Sequence, residues 1–136
     1  MIVVDTNQIA YLLIGGERTE LARQVLLRDP EWAAPLLWRS EFRSILAGYL
    51  RRNELPLPDA LKLQAKAEQL LAGREHLVRS ERVLRLAASS GCSAYDSEFV
   101  AVARQLRVPL VTWDKEVLAA FPTVAMTPKG YLEEES

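Results

Sequence analysis

Four acidic side chains stand where a carboxylate is either costly or conspicuous: Asp5, Glu41, Asp96 and Asp114. Asp5 ends the run MIVVD, in which Ile2, Val3 and Val4 predict a buried strand, and Asp114 ends PLVTWD, the second strong strand pattern. Glu41 and Asp96 fall within amphipathic stretches. At ~100° per residue, Glu41 borders a stripe of Trp38, Phe42, Ile45, Leu46 and Tyr49, while Asp96 aligns with Phe99, Val100 and Ala103 on the inward side. The same geometry turns Glu98 toward water. Each acid also has a local explanation. Asp5 or Asn7 can cap the helix after the first strand, Asp114 can cap the next one, and Ser93-x-x-Asp96 approximates a capping box. Glu41 is harder to explain locally, because a carboxylate drawn inward is unfavourable unless donors or a cation meet it. Gathered together with no basic residue among them, four carboxylates repel one another, and a divalent cation removes that repulsion. Hard oxygen ligands of this type suit Mg²⁺ or Mn²⁺ rather than Zn²⁺.

The elements that must position these acids alternate between short β-branched runs and longer helical periods. After the strand IVVD, helices are predicted over Gln8–Ile14, up to the Gly15-Gly16 pair, and over Arg18–Arg28. WAAP is a short strand, followed by long helices over Leu37–Arg52 and Pro58–Ala72. HLV is a weak strand, Ser80 caps a helix that ends near Gly91, and Ser93–Leu106 is helical. Then come PLVTWD, a short helix over Lys115–Ala120, the strand TVAM and a closing turn over Pro128–Glu134. Such alternation calls for an α/β fold, a three-layer sandwich with a mostly parallel sheet covered by helices on both faces. Ligands of such sheets bind outside the carboxyl ends of the strands, which is where Asp5 and Asp114 arrive.

The chain has 136 residues, one domain's worth over 1–136, and no repeat or low-complexity segment. Seventeen basic and eighteen acidic residues leave a net charge of −1, which neither advertises nor forbids a nucleic-acid partner. Thirteen of the basic residues are Arg, the side chain better suited to bidentate phosphate contacts. No apolar run reaches the ~20 residues of a membrane span, and the opening residues, with no basic region or cleavage site, give no expectation of export. Cys92, the only cysteine, excludes an internal disulfide and a thiolate zinc site; it fits a reducing, cytoplasmic setting.

The segments VVDTNQIAYLL, WRSEFRSILAGYL, AYDSEFVAVARQL and LVTWDKEVL resemble, in order and spacing, the four motifs of PIN-domain ribonucleases. The nearest likeness is to VapC-type toxins of toxin–antitoxin pairs, and it runs from Ile2 to about Leu118. The resemblance implies a PIN-like fold and an acidic quartet of Asp5, Glu41, Asp96 and Asp114. Asp5 and Asp96 would contact Mg²⁺ or Mn²⁺ directly, with Asp114 and Glu41 acting through water or on the nucleophile. Thr6, Asn7 and Thr112 match supporting polar positions. Ser44 departs from the pattern, since many relatives carry Asn there. The implied reaction is endonucleolytic hydrolysis of RNA, in which a metal-activated water attacks phosphorus in line and leaves a 5′ phosphate and a 3′ hydroxyl. No catalytic His is needed, which suits a chain with one. The likeness also implies a homodimer and a small antitoxin that wraps the toxin and places a basic side chain in the acidic pocket. The helices at Arg18–Arg28 and Pro58–Ala72 offer surfaces for such a partner.

A polyanionic substrate also needs cations. Arg39, Arg43 and Lys115 lie nearest the acids in sequence and could flank the RNA path, although ordinary solvated surface is the favoured explanation of all three. His76 and Cys92 read as structural residues, His76 as a surface or satisfied side chain. Trp38 belongs to the apolar stripe, whereas Trp32 and Trp113 are open candidates for base stacking. The closing EEES is a solvated tail. Two rival functions remain, a housekeeping RNA-processing nuclease and a Mg²⁺-binding, phospho-accepting receiver module. A receiver wants a second acid beside the first strand's Asp and leaves Glu41 and Asp96 without a role.

Overall fold

The structure is a computed structural model that describes residues 1–134; Glu135 and Ser136, the end of the acidic tail, lie outside the described residues. Five strands form one sheet: β1 (Ile2–Val4), β2 (Trp32–Pro35), β3 (Glu75–His76), β4 (Leu110–Val111) and β5 (Ala125–Met126). Eight helices join them: α1 (Thr6–Ile14), α2 (Thr19–Arg28), α3 (Leu37–Arg51), α4 (Leu57–Leu70), α5 (Ser80–Ser90), α6 (Ala94–Leu106), α7 (Lys115–Ala120) and α8 (Pro128–Glu133). The strand order is β3-β2-β1-β4-β5 and every pairing is parallel.

β1 lies at the centre because it can be buried on both faces. Ile2, Val3 and Val4 are at most 2% exposed, and burying each such side chain contributes about 1.5–3 kcal/mol. The chain builds β2 and β3 outward on one side of β1, then crosses over to lay β4 and β5 on the other. This reversal puts the topological switch point between β1 and β4, the place where open parallel sheets present a crevice. Val4 pairs with Val111, so the residues that follow, Asp5 and Thr112, leave the sheet side by side.

Helix α6 packs on β1, β2 and β4, and its Phe99, Val100, Val102 and Ala103 are all buried. Helix α3 buries Trp38, Phe42 and Leu46, while Ile45 and Tyr49 are half-buried at the border of the stripe. α1 packs against α2, α3 and α4. The expected strand HLV is displaced: β3 is Glu75–His76, and Leu77 lies 80% exposed beyond it. Pairing with Ala34 and Pro35 at the end of β2 fixes that register, and β2 has no residue left in strand geometry to pair with Leu77.

Trp32 and Trp38 are completely buried, which removes Trp32 from the candidates for base stacking and keeps Trp38 in the core. Among the described residues no helix is long and apolar enough to cross a membrane.

Candidate active site

Asp5, Glu41, Asp96 and Asp114 line one cavity of about 330 Å³, together with Thr6, Asn7, Ser44 and Thr112 and an apolar floor that includes Phe99, Leu110 and Val117. The acids come from four places: the end of β1, the second turn of α3, the first turn of α6 and the segment after β4. No Lys, Arg or His lines the cavity.

Asp5 is the N-cap of α1, as its local explanation holds: its Oδ1 accepts from the Gln8 amide at 2.8 Å. Its other oxygen is bound across the switch point. Oδ2 accepts from the Thr112 hydroxyl at 2.6 Å and from the Trp113 amide at 3.0 Å. The Thr112 oxygen in turn accepts from the Asp114 amide at 3.1 Å, so a short relay ties the two strand-end acids together. Asp114 caps α7 by accepting from the Val117 amide at 3.0 Å. Glu41 accepts from the Thr6 hydroxyl at 2.6 Å, the contact from another element that its inward position requires. Ser93 caps α6 by accepting from the Asp96 amide at 3.0 Å, but the reciprocal half of a capping box, from the Ser93 amide to the Asp96 carboxylate, is not formed. Two of the four acids therefore do serve as caps, and all four still face one cavity.

Their electrostatics follow from this crowding. Burial raises the pKa of Asp5 above the usual carboxylate range, aided by the charge of Asp114, against the lowering pull of its three donors. Glu41 is raised by burial first and then by Asp96, Asp5 and Glu98, while the Thr6 hydroxyl opposes the shift. Asp96 is raised by burial and by Asp114 and Glu116, with Ser93 opposing. Desolvated like charges bind protons more tightly because ionising each one costs more beside the others. Among the described residues no three carboxylates or other ligating side chains stand close enough to make a ready-built metal cage.

Several expectations need correction. Glu98 is half-buried rather than turned fully to water, because it lines a neighbouring cavity with Leu36, His76 and Leu84 and lies close enough to act on Glu41. His76 is half-buried at the end of β3, and its Nε2 is buried with no protein hydrogen-bond partner among the described residues. Arg39 is not a free cation. It forms a fork on Glu75, from Nε at 2.5 Å and Nη2 at 2.7 Å, and reaches Glu68 at 3.1 Å. This fork, joined by Trp38 Nε1 on the same carboxylate at 2.8 Å, holds α3 to β3 and α4 and pulls the Glu75 pKa below its ordinary value. Arg43 folds back on the Arg39 carbonyl and the Ser40 hydroxyl, and Lys115 is exposed at the start of α7. Neither lines the cavity.

One cluster beside the site was not legible in the sequence. Trp113 lies beyond the end of β4, and its Nε1 donates to the buried Gln8 at 2.6 Å. Its ring meets Tyr11 edge-to-face, and Arg18 lies over both rings. Gln8 and Tyr11 lie within the first motif segment and Arg18 lies outside all four; helix periodicity and the α1–α2 turn bring the three to Trp113.

The PIN domain family model matches residues 2–122. Ribonuclease VapC3 of Pyrobaculum aerophilum is 28% identical over 140 residues, which span 93% of this chain and 98% of that protein. Among solved structures, a Pyrobaculum aerophilum protein superposes with a TM-score of 0.76 at 21% identity, covering 96% of this chain and 92% of its own. FitAcB from Neisseria gonorrhoeae gives 0.74 at 18% identity, with 95% and 99% covered. A toxin–antitoxin complex from Klebsiella pneumoniae gives 0.68 at 18% identity, with 94% and 98% covered. The matched span contains all four acids of the cavity, and the chain belongs to the PIN domain family.

Proposed function

We propose that this chain is an endoribonuclease that uses Mg²⁺ or Mn²⁺ to hydrolyse RNA phosphodiester bonds and that it is the toxin of a toxin–antitoxin pair. The observation that carries this reading is the cavity at the switch point, lined by four carboxylates and no cation. Its donor set is hard oxygen, and the raised proton affinity of three of its acids marks a place that favours added positive charge. The absence of a tight cage fits the reading, because Mg²⁺ keeps several waters and needs only one or two protein carboxylates. Asp5 and Asp96 would hold the ion directly and Asp114 through water. When bound, such an ion polarises a phosphoryl oxygen and lowers the pKa of a water.

The chain's own residues supply orientation and a base. Three donors fix the Asp5 carboxylate, so its position at the mouth of β1 is set before substrate arrives. Glu41, aimed by Thr6 and raised in proton affinity, is suited to take a proton from the attacking water. Attack in line with the 3′ oxygen leaves a 5′ phosphate and a 3′ hydroxyl.

The name of the VapC3 relative and the Klebsiella complex support the toxin assignment. Exposed Leu27 on α2, with Leu57 and Leu61 on α4, supplies apolar surface for an antitoxin or a second copy of the chain. The test is cleavage of an RNA pool by the purified chain under metal titration. Asp96→Asn should lower the rate at least about 100-fold with the fold intact by circular dichroism. Wild-type cutting that persists in excess chelator contradicts the metal mechanism.

A further inference from the structure

We propose that Arg18, held against the rings of Trp113 and Tyr11, forms a backbone-binding subsite for single-stranded RNA beside the acidic cavity. The inference rests on the ribonuclease reading. Bare carboxylates repel a phosphate chain, so affinity must come from a cation near the cavity and outside it. The cavity lining offers none, and Arg39 is committed to Glu75 and Glu68.

Arg18 is joined to the site by a short run of contacts. Its guanidinium carbon lies 4.7 Å from the Trp113 ring centroid and 5.2 Å from that of Tyr11. The two rings meet at 5.2 Å and 84°, so the cation rests in the corner between them. Its Nη1 donates to the Tyr11 hydroxyl at 2.9 Å. The backbone of Trp113 donates to the cavity carboxylate of Asp5. A single residue thus carries the ring beneath the cation and a ligand-orienting amide of the acidic site.

The cation is presented in advance. Gly15 and Gly16, at φ 105° and 126°, turn the chain sharply out of α1. Thr19 ties the turn back, its hydroxyl donating to the Tyr11 carbonyl at 2.5 Å and its amide to the Gly16 carbonyl at 3.3 Å. Among the described residues Arg18 has no carboxylate within ion-pair distance, although the chain contains eighteen acids. An exposed guanidinium with an uncommitted charge matches the fork geometry of phosphate, and its plane is a surface on which bases stack. Prior ordering of the turn removes part of the entropic cost of that contact.

The test measures binding of a fluorescein-labelled single-stranded RNA of about ten nucleotides to the full chain in chelator, by anisotropy, between about 50 and 200 mM salt. Arg18→Gln should raise Kd about tenfold and reduce the slope of log K against log salt by about 0.7. Arg18→Lys should restore the slope and recover affinity only in part, since it keeps the charge and loses the plane. Unchanged Kd and slope in Arg18→Gln overturns the subsite and leaves Arg18 as a clamp between the α1–α2 turn and the end of β4. If wild type still cuts RNA in that case, the ribonuclease reading stands. A wild-type chain that neither binds nor cuts RNA overturns both.

Discussion

Gln8 shows how closely the chemistry of this site is tied to its packing. The side chain is completely buried; its Oε1 accepts from Trp113 Nε1, and its Nε2 has no partner. Because an indole nitrogen only donates, the carbonyl side of the amide must face it. Trp113→Phe keeps an aromatic ring near Tyr11 and leaves Gln8 with both polar ends unmet. Such an unsatisfied buried group costs about 1–3 kcal/mol, seen as a lower urea midpoint at constant m-value. Thr6 plays the corresponding part for Glu41. Its hydroxyl favours the charged carboxylate, so Thr6→Val raises the Glu41 pKa further. If ionised Glu41 is the base, the acid limb of the pH–rate profile should move to higher pH in Thr6→Val, with the high-pH plateau retained to within about threefold. An unmoved limb would remove Glu41 from the reaction.

At the scale of elements, the α1–α2 turn is the place where backbone conformation supports both stability and the arrangement around Trp113. Gly16 has φ 126°, and a Cβ added there meets no atom within 4 Å. Gly16→Ala therefore tests conformation alone and should destabilise the chain by about 1–2 kcal/mol, readable by thermal denaturation. The same substitution should loosen Arg18 and weaken RNA binding alongside Arg18→Gln. Much of the element order is legible in the sequence because its signals are local. IVVD, WAAP and the two long helices keep their expected places to within a residue or two, and α7 matches at both ends. The facing of Asp96 was equally legible from helix period. What periodicity does not encode is the partner of a charged group. Arg39 looked available from its own helix, yet Glu75 lies 36 positions away and Glu68 comes from another helix. Glu98 looked solvated because its exposure is decided by His76 and Leu84, residues contributed by other elements.

For the whole molecule, the acidic cavity opposes folding at neutral pH. Asp5, Glu41 and Asp96 all have folded-state pKa values raised above their ordinary ones. Between the ordinary carboxylate range near pH 4 and those raised values, the folded chain binds more protons than the unfolded chain at these sites. Their contribution to stability is therefore fully present below that range and is lost as pH rises through the folded values. Glu75 runs the other way: its lowered pKa contributes stability above the ordinary value that disappears as pH falls through the folded one. In chelator, Asp96→Asn removes one of the crowded charges, and it should raise Tm by a few degrees at pH 7, as about 1 kcal/mol does in a domain of this size. Added Mg²⁺ should stabilise the wild type more than the variant, and its effect on the wild type should shrink as pH is lowered toward 4, where protons take over the neutralising role. A variant less stable than wild type in chelator, together with a Mg²⁺ effect indifferent to pH, would mean that the four acids are adequately satisfied by the protein alone and that no cation is needed to hold them in one cavity.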